Sequence, residues 1–123
     1  TIKSDKAYKK YRILVEIDGL LSLSELKSAV ASLKGVTIEQ RTPQRVSHRR
    51  ADKIRERKVL DIEAVGEGKD GFVIEVTGEA GLYIKELISG DSGRTRPSLA
   101  GVLNRPARVT ELDVIAVRGS EEE

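Results

Sequence analysis

Two segments of this 123-residue chain group side chains as chemistry would need them. The first is GLYIKELISGDSGRTRPSL, residues 81–99, in which Tyr83 and Lys85 stand two residues apart where a helix begins. At about 100° per residue, Ile84, Leu87 and Ile88 make the buried stripe and leave the phenol and the ammonium on its opposite borders. A cation in a first helical turn is opposed by the helix dipole by about 0.3 to 1 kcal/mol. Lys85 is therefore misplaced unless a carboxylate from elsewhere meets it, or unless it is a lysine snorkelling from a frayed helix. In the loop beyond, Gly90 and Gly93 permit positive φ, Arg94 and Arg96 offer forked donors, and Pro97 suits the first position of a helix. That combination reads as an anion-binding corner or as a plain turn between helices.

The second segment is QRTPQRVSHRRADKIRERK, residues 40–58. From Arg41 to Lys58 it holds eight Lys or Arg, including Arg45, Arg49 and Arg50, against Asp52 and Glu56 alone. Guanidinium groups so closely spaced on an extended chain or hairpin suit contact with a phosphate backbone. A solvated, charge-rich hairpin is the alternative, but ordinary surfaces intersperse both signs. Tyr11 opens an apolar strand face and reads either as a residue at the border between core and cleft or as an edge-of-core aromatic.

Composition narrows the choices. With no Cys and His48 as its one histidine, the chain has no disulfide framework and no thiolate chemistry, and a metal site finds no support. One Phe, three Tyr and no Trp make the core aliphatic. No apolar run approaches a membrane span, so the chain reads as soluble and cytoplasmic. Its length suits one domain over residues 1–123, with an acidic tail at 120–123. A chain without methionine that starts at Thr1 reads as a processed product, a fragment or a trimmed piece.

The elements that must position these groups follow from periodicity. Tyr11, Ile13, Val15 and Ile17 alternate as in a strand ended by Gly19. Ser22 and Glu25 form a capping box before Leu23, Leu26, Ala29, Val30 and Leu33, which predicts a helix up to Gly35. Residues 36–40 predict a strand broken at Pro43. Residues 59–65 and 72–77 predict a hairpin about GEGKDG. A short helix over about 82–88, a helical turn near Pro97 and a strand over 108–117 complete an α+β order, a mostly antiparallel mixed sheet with helices packed on one face.

KKYRILVEIDG (residues 9–19), QRTPQRVSHRRADKIRERKV and GLYIKELISGDSGRTRPSL, in that order and followed by ELDVIAV, resemble the C-terminal part of the catalytic domain of the archaeal and eukaryal tRNA pseudouridine synthases called Pus ten. The TPxRVxHRRAD and GxYIK pieces are also similar to the related TruB branch. The resemblance runs from about residue 8 to 119. It implies half of a pseudouridine synthase catalytic domain, whose parent enzyme isomerises uridine to pseudouridine in the TΨC arm of tRNA, at uridines 54 and/or 55, without cofactor or metal. It implies that Tyr11 packs against the target base, that Tyr83 lines the uridine pocket and that Lys85 pairs with the catalytic aspartate. The charge and spacing of the two arginine-rich segments make Arg41, Arg45, Arg49, Arg50, Arg94 and Arg96 the expected RNA contacts. The aspartate belongs to a motif upstream of Tyr11, so the missing upstream part of the catalytic domain becomes a partner and the chain alone is expected to be inactive. An N-terminal RNA-binding module expected of the full enzyme is absent as well, and Leu82 replaces a frequent Thr. A non-catalytic RNA-binding module and a protein-docking scaffold with an exposed apolar patch are the competing readings.

Overall fold

The computed structural model describes residues 7–46, 48 and 51–118, with the side chain of Arg118 outside that set. Ten residues of alternating character form β1, Tyr8–Ile17. α1 follows over Leu23–Ala31, and both halves of the capping box form: Glu25 N–H donates to Ser22 Oγ at 3.1 Å and Ser22 N–H to Glu25 Oε1 at 3.0 Å. α1 ends at the Ser32 cap, short of Gly35, yet Leu33 still reaches the core from the following turn.

β2, Thr37–Arg41, pairs antiparallel with the start of β3, Ile54–Gly68. β3 begins five residues before the expected Val59, because its charged opening IRERK is held by the β2 backbone rather than by apolar alternation. β3 turns at Lys69 and Asp70 into β4, Gly71–Glu79, the expected hairpin. Gly71 is required there: its φ is +144° and a Cβ would overlap the Val15 carbonyl. α2 spans Ile84–Ser89, the two-residue strand β5 Thr95–Arg96, α3 Leu99–Leu103 and β6 Ala107–Arg118. The sequence shows no sign of β5, which exists through its pairing with Glu39 and Gln40.

The six strands form one sheet in the order β5-β2-β3-β4-β1-β6, and every ladder among the described residues is antiparallel. One face carries Ile13, Val15, Ile62, Ala64, Ile74 and Val76 under Leu26 and Val30 of α1, Leu87 and Ile88 of α2 and Leu99 of α3. The other face is polar at its centre, where Arg12 and Lys10 meet Glu75 at 2.9 and 3.5 Å. No helix among the described residues is long and apolar enough to cross a membrane.

Candidate functional site

α2 lies across the sheet, with one end over β2–β3 and a flank over β6. Tyr83 is its N-cap residue but caps nothing with its own side chain. The buried amide of Gln40 does this instead: Tyr83 N–H donates to Gln40 Oε1 at 2.8 Å, and Gln40 Nε2 donates to Tyr83 O at 2.9 Å. The Tyr83 backbone is thus fixed from β2. Its half-buried ring has the guanidinium of Arg45 6.0 Å from its centroid and that of Arg55 at 5.9 Å. Gly81, at φ +96°, lets the chain enter α2 against Arg57, whose Nε a Cβ would meet at 2.9 Å.

Lys85 leaves α2 on the other flank. It is exposed and lines a shallow concavity of about 280 Å³ with Val109, Thr110, Glu111 and Leu112 of β6. Among the described residues its ammonium makes no ion pair and no hydrogen bond. Tyr11 sits between these flanks, on the helix-bearing face of β1, half-buried against the core and opposite Val76 of β4 and Val114 of β6. Val114 is two residues along β6 from Leu112. A register shift between Lys10 and Tyr11 sets this pairing, with Ile115 as the extra residue of β6. Burial pushes the Tyr11 phenol above its ordinary value. Tyr83, Tyr11 and Lys85 therefore share one face of the sheet, reached from β3, β1 and β6 respectively.

The arginines divide. Arg45 donates from Nε to Glu86 Oε2 at 2.7 Å and from Nη2 to Oε1 at 3.3 Å, and Glu86 is 4% exposed. Arg41 forks onto Asp52 at 2.7 to 3.1 Å, and these bonds hold the Asp52 carboxyl below its usual range. Arg94 donates twice to the Thr42 carbonyl, at 3.0 and 2.6 Å, and faces Asp91 and Asp52 at 3.5 and 3.6 Å. Arg96 is exposed and donates to Gly93 O at 3.1 Å. Arg49 and Arg50 lie outside the described residues. The basic segment thus draws compensating acid from Glu86 and Asp91, distant in sequence, so its charge is less one-sided than its composition suggests. The corner at residues 90–96 braces the loop after β2, with Gln44 N–H donating to Asp91 Oδ2 at 3.0 Å.

Sequence reasoning missed Gln40, Glu86 and Arg55. Gln40 left a signal, a polar residue in phase with the apolar Ile38 at a core-facing position. Glu86 and Arg55 left none beyond a favourable acid in a first helical turn and one arginine among many. Among the described residues no group of His, Cys, Asp or Glu could hold a metal ion.

The solved structure of a Cbf5-Nop10-Gar1 complex contains a chain that matches this fold with a TM-score of 0.71 and 26% identity, over 94% of this chain and 32% of that one. A curated tRNA pseudouridine synthase Pus10 from Halorubrum lacusprofundi is 50% identical over 121 residues, 98% of this chain and 28% of the relative. Its namesake from Archaeoglobus fulgidus is 50% identical over 116 residues, 94% of this chain and 32% of the relative. The chain thus spans about a third or less of the length of these relatives. The family model "Pus10, C-terminal" matches residues 1–118, and the chain belongs to the Pus10 family of tRNA pseudouridine synthases.

Proposed function

We propose that the full-length protein isomerises uridine to pseudouridine in the TΨC arm of tRNA, at positions 54 and/or 55, and that this segment supplies the pocket wall and part of the RNA-facing surface. The observation that carries this reading is the Lys85 ammonium, set in a concavity beside β6 and met by no carboxylate of the described residues. A nucleophilic aspartate must stay ionised while a base and its ribose exclude water around it. A cation about 4 Å away is worth roughly 4 kcal/mol to that charge at an effective dielectric of 20. Lys85 takes this role toward an aspartate from the upstream part of the catalytic domain. Tyr11 and Tyr83 offer aromatic surface to a uridine taken out of its stack.

Among the described residues β6 ends the sheet with an unpaired edge, and it exposes Val114, Ile115 and Val117, at 50%, 40% and 58%. An apolar open edge of this kind is where further strands add. We read it as the docking line of the upstream half, which would bring the aspartate to the β6 flank that Lys85 occupies. The docking-scaffold reading is thereby absorbed as a junction within one enzyme. In the full-length protein, assayed for pseudouridine in a tRNA transcript, Lys85→Ala should lower kcat by about 100-fold or more, and Lys85→Arg should retain most of it. Unchanged turnover in both Lys85→Ala and Tyr83→Ala would remove this assignment. A protein that binds the transcript but forms no pseudouridine would favour the non-catalytic RNA-binding module.

A further inference from the structure

The two cations beside Tyr83 differ in one respect. Arg45, 6.0 Å from the ring centroid, is neutralised by the buried Glu86. Arg55, 5.9 Å from it, has no acid: among the described residues its guanidinium makes neither an ion pair nor a hydrogen bond. The residue opposite Arg55 across the ladder is Gln40, whose amide is spent on the Tyr83 backbone. Two positions along the same face of β3, Arg57 donates to the carbonyls of Ala80 and Glu56. Arg55 is thus a half-buried charge whose guanidinium carbon lies 5.9 Å from an aromatic ring centroid while its five N–H donors find no partner among the described residues.

We propose that Arg55 is the phosphate ligand of the nucleotide that meets Tyr83, its fork of donors closing on the oxygens of an RNA phosphodiester. This rests on the reading of the protein as an enzyme acting on RNA. A guanidinium half-buried beside a ring has fewer orientations to lose than one in open solvent, so a bidentate contact costs less ordering. The alternative partner is a carboxylate from the upstream half. The open edge for that half is at β6, three strands from β3 and roughly 14 Å away at the usual strand spacing. Phosphate on the RNA side is therefore favoured.

Affinity of the full-length protein for a tRNA transcript, measured by filter binding across a range of KCl concentrations, tests the assignment. Arg55→Ala should weaken binding about tenfold and reduce the magnitude of the log–log salt slope by about 0.7 to 0.9, the release of one counterion. Arg55→Lys should keep the slope, and Arg55→Gln serves as the neutral variant if alanine does not fold. An unchanged slope in a neutral variant, with pseudouridine still formed by the parent protein, overturns the role of Arg55 and leaves the enzyme reading intact. A lower melting temperature without RNA, again with an unchanged slope, assigns Arg55 to an internal carboxylate and also overturns it. Absence of tRNA binding by the unsubstituted protein would remove both.

Discussion

Gln40→Leu should destabilise this chain by about 3 kcal/mol, and its cause can be followed atom by atom. The side chain is 1% exposed and joins β2 to the entry of α2 through two bonds to one residue, at 2.8 and 2.9 Å. Leucine has nearly the same volume, so the cavity cost is small and the loss is polar. Each neutral hydrogen bond contributes about 1 kcal/mol net. The Tyr83 carbonyl keeps a partner, because Leu87 N–H already donates to it at 3.0 Å. The Tyr83 N–H is left without one, which costs about 1 to 3 kcal/mol by itself. Urea titration followed by far-ultraviolet circular dichroism should show a lower midpoint at unchanged slope, and the melting temperature should fall by roughly 10 °C. Thr95→Val, which removes only the 3.4 Å contact to Gln40 Nε2, should cost less than about 1 kcal/mol. A Gln40→Leu loss below about 0.5 kcal/mol would refute the tertiary cap and the claim that Tyr83 is positioned from β2.

Arg45→Ala strands a carboxylate that is 4% exposed; because the arginine side chain is itself 49% exposed, the loss should be about 2 kcal/mol rather than the larger cost of a fully buried pair. Adding Glu86→Gln should recover about half of it, and a double-mutant cycle that finds no coupling would contradict the pairing. For Tyr11 the sign of the pH effect follows from a folded-state pKa raised by burial: its contribution to stability is complete below about pH 10 and is lost as pH rises through the folded-state value. Tyr11→Phe should therefore remove a phenolate step that lies above the ordinary tyrosine value in an ultraviolet titration and flatten the alkaline loss of stability. Persistence of that step in the variant would place the shifted phenol elsewhere.

Local chemistry makes much of the frame readable in the sequence. The Ser22–Glu25 box, the period-two run from Tyr11 to Ile17 and the turn between β3 and β4 each satisfy their own backbone groups or bury their own stripe, so neighbours along the chain suffice to define them. The stripe of Ile84, Leu87 and Ile88 was legible for the same reason. Partnership was not. Whether an arginine is free or neutralised depends on residues far away in the chain: Glu86 takes Arg45 from 41 positions away, while Arg55, in the same basic run, keeps its charge beside Tyr83. The strand order likewise arose in three dimensions, because β5 and the opening of β3 exist through backbone pairing that apolar alternation does not encode. Side-chain type announces what chemistry a group is able to do; the fold decides which groups have already spent it on one another, since an ion pair or a hydrogen bond depends on separation in space and not along the polypeptide.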